Sequence, residues 1–275
     1  MESNAQHKIG LTLDDRDDRG CVARITVDHQ ARLNILNTSL IQQLISVANS
    51  LHVNERLRLV ILTGAGDRAF IGGADIHEMV GLDPSSARAF ISRLHEACAA
   101  LRASPVPVIA RISGYCLGAG LEVAASCDLR IAADHSLFGM PEVKVGIPSV
   151  IEAALLPRLI GRGKAAELVY TGDPIRASEA LRCGLVQQVV PKAQLDEAVG
   201  RWIQSILEAG PRAVRLQKAL FRHWESLPLD RAIDSGIESF AAAYGTDEPR
   251  TLMTKFLRRQ RTPRDKDHGG NDERL

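Results

Sequence analysis

The sequence predicts an α/β fold, a largely parallel sheet dressed with helices, followed by an all-helical C-terminal region. Three observations carry this. Short apolar runs of strand length alternate with longer stretches of helical periodicity from about residue 20 to residue 190. One of those runs, Leu57 to Thr63, is nearly continuous in branched apolar residues, as a strand buried on both faces must be. After Pro191 the pattern changes to successive helical stretches with no strand among them. We place a boundary near 195, giving a core over 1–195 and a helical region over 196–275.

Taken in order, Lys8 to Leu13 and Cys21 to Asp28 are alternating runs flanking a polar stretch that ends in Gly20, which predicts a hairpin with a solvated turn. From Thr38 to about Val53, Leu40, Ile41, Leu44, Ile45, Ala48 and Leu51 recur at helical spacing, with Asn37 or Thr38 available as N-cap. Leu57 to Thr63 follows as a strand, and Gly64, Gly66, Gly72 and Gly73 break any regular element. Leu82 to Arg102 resumes helical periodicity, and Pro105 to Ile112 reads as a strand entered through prolines. The alternation continues with a strand at Leu129 to Ala133, helical stretches near Ile151 to Ile160 and at Lys164 to Tyr170, and a strand at Leu185 to Val190. Residues 193–209, 211–226, 229–244 and 248–260 then read as helices, and the charged, glycine-containing stretch from Thr262 to Leu275 as a frayed tail.

Composition bounds the function. With 275 residues, 45% of them hydrophobic and 24% charged, the chain sits on the globular average and is long enough for a sizeable core. The 34 basic side chains against 33 acidic ones argue against nucleic acid as the main partner. No apolar run approaches the roughly 18 residues that span a bilayer, and the opening MESNAQHK lacks a hydrophobic signal core and an Arg-rich transit pattern. The expectation is a soluble, cytoplasmic protein without a membrane partner. Cys21, Cys98, Cys116, Cys127 and Cys183 are odd in number and widely separated, which suggests reduced thiols rather than a disulfide framework or a zinc site.

Two Gly-rich segments, Gly64 to Asp75 and Gly114 to Glu122, each follow a buried strand. Both place backbone N–H groups at the carboxyl end of a strand, where open α/β sheets bind ligands and where donors can face a developing negative charge. Such glycines also make simple tight turns, but two segments in tandem favour a site. Gly64-x-Gly66-x-x-Ala69 fits a loose dinucleotide fingerprint with Glu78 or Asp83 as ribose acid. That match fails on its own terms, because the fingerprint requires a helix directly after the glycines and Phe70-Ile71-Gly72-Gly73 follows instead.

Glu122 lies two residues past a Gly-Ala-Gly turn in an otherwise apolar stretch, and Glu142 sits in the turn-rich run Phe138 to Gly146. Taken singly, each has an ordinary reading as a surface or capping residue. Together they suit a pair in which one carboxyl keeps its proton and the other does not, supplying acid and base at neutral pH.

Asn34-Ile35-Leu36-Asn37, Ala69 to Met79, Ser113 to Glu122 with Cys127-Asp128 after it, Phe138 to Gly146, and Thr171-Gly172-Asp173 resemble, in order and spacing, the motifs of the enoyl-CoA hydratase/isomerase (crotonase) family. The resemblance covers roughly residues 20–260. It implies a spiral of ββα turns and a C-terminal helical region that forms trimers, often paired into hexamers. It also implies chemistry through a thioester enolate. Carried over residue by residue, the backbone N–H groups of Ala74 and Ala119 form an oxyanion hole for the acyl-CoA carbonyl. Glu122 matches the glutamate that activates water and Glu142 the one that exchanges a proton with the α-carbon. Gly73 and Gly118 belong to the turns that admit the substrate, Asp75 and Ile76 to the segment lining the CoA, and Phe256 resembles an aromatic that reaches the CoA of a neighbouring subunit.

That assignment suits hydration of a 2-enoyl-CoA, which needs two fixed donors at the carbonyl oxygen, an acid at one carbon and a base for water at the other. No metal or cofactor beyond the CoA of the substrate is expected. A double-bond isomerase or another acyl-CoA enzyme of the family is the alternative, and a non-catalytic or RNA-associated member is the distant one. A homotrimer or dimer of trimers is expected, since Trp202, Ile203, Ile206, Leu216, Leu220, Phe221, Ile233 and Ile237 exceed what one short bundle can cover. One stretch departs from the family. Where many members have a glycine-rich turn and Thr-Gln-Arg, this chain has Ile147 to Leu156, including Glu152, whose ordinary reading is a solvated helix face.

Overall fold

The computed structural model describes residues 7–261, so the tail expected from Thr262 lies outside the described residues. The hairpin forms as predicted. Strand β1 (Lys8–Asp15) pairs antiparallel with β2 (Cys21–Asp28). The parallel sheet then continues through β3 (Leu57–Gly64), β5 (Val108–Ile112), β7 (Leu129–Ala133) and β10 (Gln188–Val190), in the order β1-β2-β3-β5-β7-β10. All of β3 is buried. Because strand side chains alternate between faces, these strands feed two separate cores. Leu57, Leu62, Val108, Ala110 and Ile112 join the core shared with α1 (Thr38–Leu51) and α3 (Pro84–Arg102). Leu59, Ile61, Ile109 and Ile131 face the other way, under Leu195, Val199 and Ile203 of α7 (Leu195–Glu208).

That packing moves the boundary. The chain divides into two compact units between Glu208 and Ala209, later than the expected 195, because α7 is amphipathic and its apolar face closes the back of the sheet. Arg58 of β3 fastens it, donating to the carbonyls of Ile206 at 3.0 Å and Leu207 at 3.5 Å, where a helix end leaves acceptors and a partial negative charge. Trp202, Ile203 and Ile206, expected to be surplus, therefore belong to the first unit's core.

A second sheet escapes the sequence reading. Strands β4 (Ala69–Ile71), β6 (Tyr115–Leu117), β8 (Leu137–Gly139) and β9 (Ile175–Arg176) pair in the order β4-β6-β8-β9. The glycines read as breaking all regular structure in fact bracket β4, which at three residues is too short for periodicity to show. Each pass of the chain thus gives one strand to each sheet and then helix. β3 and β4 precede α2 (Ile76–Met79) and α3, β5 and β6 precede α4 (Ala119–Ala125), and β7 and β8 precede α5 (Leu156–Thr171). This is the repeated ββα arrangement that the resemblance implies. The helical stretches expected at Ile151–Ile160 and Lys164–Tyr170 are a 3-10 turn (Ile151–Leu155) and one helix, α5, kinked at Gly161; α6 (Ala177–Arg182) follows.

The second unit consists of α8 (Pro211–Ser226), α9 (Leu229–Ala243) and α10 (Glu248–Arg261). Glu248 accepts from the N–H groups of Arg212 (3.0 Å) and Ala213 (2.9 Å), and Trp224 Nε1 donates to the Ala232 carbonyl at 3.0 Å. Phe221, Ile233, Ile237 and Phe240 of this unit are exposed. Among the described residues no helix is long and apolar enough to cross a membrane.

Candidate active site

The carboxyl ends of β4, β6 and β8 converge on a cavity of about 280 Å³ built wholly from the first unit. Glycine and alanine at 72–74 and 118–119 line it, with apolar side chains such as Met79, Phe90, Leu94 and Ile147 and with Glu122, Glu142 and Lys144 among them.

The first Gly-rich segment is clamped along its length. The N–H of Gly72 donates to the Leu33 carbonyl, that of Leu36 to the Gly73 carbonyl, and that of Asp75 to the Leu36 carbonyl, each at 2.9 Å. Asn34 is buried beneath, its amide donating to the carbonyls of Ala65 (2.9 Å) and Ala69 (2.7 Å). Gly73 takes φ +130, which only glycine adopts without strain, and leaves the N–H of Ala74 outside this ladder. Within the second segment, the φ of +51 and ψ of −120 at Gly118 turn the chain into α4. Ala119 is the first residue of that helix, so its N–H has no acceptor within the helix. Both donors border the cavity, which is the arrangement an oxyanion requires.

Two carboxylates share the same lining. Glu122, one turn into α4, is 4% exposed and accepts the Ala153 N–H at 3.3 Å. Burial pushes its carboxyl up to about 8, with the charges of Glu142 and then Glu152 adding to the rise and the Ala153 contact opposing it. Glu142 sits on the 3-10 turn Pro141–Val145 that follows β8, and its Oε2 accepts from the Ser149 hydroxyl at 2.8 Å. Gly118 lies directly beneath the Glu142 carboxylate. At neutral pH burial holds a proton on Glu122, and the Glu142 carboxyl lines the same cavity, so the two can pass one proton between them.

The other expected residues divide. Gly73, Ile76 and Gly118 line the cavity. Asp75 is 3% exposed, paired with both terminal nitrogens of Arg32 at 2.9 and 3.2 Å and capping α2 through the His77 N–H. Phe256 is an exposed residue of α10 in the second unit. Glu78 and Asp83, candidates for a ribose acid, cap α1 through Thr38 and α3 through Ser86. The dinucleotide match thereby loses its acid as well as its helix.

Glu152 corrects the ordinary reading of that position. It is 3% exposed, not on a solvated face. Its Oε1 meets His95 Nδ1 at 2.9 Å. Ser149, His95 and Arg102 are polar neighbours of the three glutamates that sequence reasoning assigned no role. The only signal for them is helical spacing, which puts His95 and Arg102 seven residues apart on one face of α3.

The enoyl-CoA hydratase/isomerase family pattern matches residues 17–266 of this chain. Short-chain-enoyl-CoA hydratase of Clostridium acetobutylicum is 34% identical over 246 residues, covering 89% of this chain and 94% of that protein. Crotonyl-CoA hydratase of Syntrophomonas wolfei is 36% identical over 241 residues, covering 87% and 93%. Among solved structures, an enoyl-CoA hydratase from Bacillus anthracis superposes with a TM-score of 0.84 at 32% identity, covering 92% of this chain and 97% of that one. Another, from Mycobacterium smegmatis, gives 0.86 at 28% identity, covering 90% and 96%. With its two sheets built from ββα turns and its match spanning nearly the whole described chain, this protein is an enzyme of the enoyl-CoA hydratase/isomerase (crotonase) family.

Proposed function

We propose that the protein adds water across the 2,3 double bond of a 2-enoyl-CoA. The observation that carries this is the pair Glu122 and Glu142 lining one cavity with the backbone of Ala74 and Ala119. Isomerisation of a double bond can run on one carboxylate, whereas addition of water needs an acid at one carbon and a base at the other. The carbonyl oxygen would rest on the N–H groups of Ala74 and Ala119, each worth about 3 kcal/mol as charge develops there. Once the pair's proton has passed from Glu122 to Glu142, Glu122 takes a proton from the attacking water while Glu142 delivers one to the α-carbon. The addition returns the proton to Glu122, where burial holds it in the free site. Each turnover is therefore reset by returning one proton from Glu122 to Glu142.

Relatives named for short-chain and crotonyl substrates make crotonyl-CoA the first substrate to try. The wider reading places the enzyme in fatty-acid metabolism, in the cytoplasm, working without a cofactor other than substrate CoA. The exposed apolar side chains of α8 and α9 support a homotrimer or a dimer of trimers. Purified protein should consume crotonyl-CoA with loss of the conjugated-thioester absorbance. Inactivity there, combined with conversion of a 3-enoyl-CoA to the 2-enoyl isomer, would replace hydration by isomerisation.

A further inference from the structure

The segment that departs from the family pattern puts a third carboxylate behind the site, and the backbone is strained to do so. Ile151 takes φ +38, a value that a β-branched side chain adopts only under constraint. The turn there carries Glu152 into the interior. Its Oε1 is 2.9 Å from His95 Nδ1 and 3.9 Å from Arg102 Nη1, both on α3, while Oε2 is buried with no hydrogen-bond partner among the described residues. The next residue, Ala153, donates its N–H to Glu122 Oε1 at 3.3 Å. Strain and a half-satisfied buried carboxylate both cost stability, and they occur at adjacent residues, within two positions of the Ala153 N–H that Glu122 accepts.

We propose that Glu152, held by His95 and Arg102, is a positioning residue for the Glu122–Glu142 pair: its buried side chain anchors the turn that presents the Ala153 N–H to Glu122. This rests on the hydratase reading of the same site. The groups that bear on Glu122 are Glu142 from the turn after β8, and Glu152 and the Ala153 N–H from the turn before α5. Those that bear on Glu152 are His95, Arg102 and Cys98 of α3. The Cys98 thiol is pushed well above its ordinary range, by burial first and then by Glu152, and stays neutral. Glu152 therefore meets His95 and Arg102 directly and is joined to Glu122 through the N–H of the next residue, Ala153.

Glu152→Gln keeps the shape and removes the charge, so the shared proton should leave at lower pH. Glu152→Asp shortens the side chain and keeps the charge. A packing role predicts that Gln is benign and Asp disruptive; the positioning role predicts the reverse. The readout is a carbon-13 NMR titration of the Glu122 carboxyl in the full-length protein, assigned by its absence in Glu122→Gln, with the pH profile of kcat/KM measured alongside. The Glu122 midpoint should fall by roughly half to one pH unit in Glu152→Gln and stay near wild type in Glu152→Asp. An unmoved midpoint in Glu152→Gln, or an equal fall in both variants, overturns the proposal. If Glu152→Asp does not fold, the Glu152→Gln midpoint decides alone by the same criterion; if Glu152→Gln does not fold, a Glu122 midpoint that falls in Glu152→Asp, which keeps the charge, overturns the proposal and one that stays near wild type supports it. Because the titration needs no substrate, a protein that fails to hydrate any enoyl-CoA sinks the functional reading without deciding this one.

Discussion

Gly118→Ala is a one-carbon change that should disable the enzyme without touching a reacting side chain. At φ +51 and ψ −120 the backbone is one that residues with a Cβ avoid, at a cost of about 1–3 kcal/mol. The added Cβ would also overlap Glu142 Oε1, which must withdraw to an ordinary contact of 3.4 Å or more. Misplacing a reacting group by about 1 Å costs roughly 10²-fold in rate, and losing an oxyanion donor costs roughly 10²–10³. Gly118 sets both the space for Glu142 and the direction of the Ala119 N–H. The two losses overlap, so we expect kcat to fall by about 10²–10³ rather than by their product. The assay is crotonyl-CoA consumption, paired with denaturant unfolding to show that the variant is folded. Gly163→Ala, where a Cβ meets nothing within 4 Å, is the control and should leave turnover unchanged. A folded Gly118→Ala enzyme with wild-type turnover would refute the placement of the acid and the oxyanion hole at this turn.

Ala74→Pro removes the other donor and should cost about 3 kcal/mol of transition-state stabilisation in a protein that still folds; unchanged turnover would place the site elsewhere. The pair needs its one proton, and burial holds it on Glu122 up to about pH 8, so kcat/KM should fall on the alkaline side of that value, as a pH profile will read directly. Stability follows the same group with a definite sign. The folded state keeps a proton that the unfolded chain releases in the ordinary carboxylate range, so the folded state loses about 1.4 kcal/mol per pH unit as pH rises from that range toward 8. Glu122→Gln abolishes this loss, and its advantage in unfolding free energy over wild type should grow from pH 5 to pH 8; a constant difference would mean that Glu122 is ionised in the folded protein.

What the sequence disclosed tracks the length and regularity of each element. Helices such as α1 and α3 repeat their apolar positions for three turns or more, and β3 is an unbroken apolar run, so both were legible. Strands β4, β6 and β8 are three residues each and are surrounded by glycine, and no period can be read in three residues. They form the sheet whose ends hold the site, so the glycines were recognised as chemically important while the structure that makes them so was hidden. Helix α7 was seen as a helix but placed in the wrong neighbourhood, because an amphipathic face does not say which surface it covers. Glu122 and Glu142 stood out as carboxylates in apolar stretches. Glu152 did not, because its burial follows from the positive φ of Ile151, a conformation that a β-branched residue gives no reason to expect.

The central claim is that Glu122 and Glu142 act as one acid–base unit in adding water to a 2-enoyl-CoA. Steady-state turnover of crotonyl-CoA by the wild-type enzyme, Glu122→Gln, Glu142→Gln and the double variant tests it most directly. The account predicts that each single substitution lowers kcat by about 10²–10⁴ with substrate binding retained, and that the double variant is little worse than the poorer single one. Independent, multiplying losses, or a single variant as active as wild type, would contradict it.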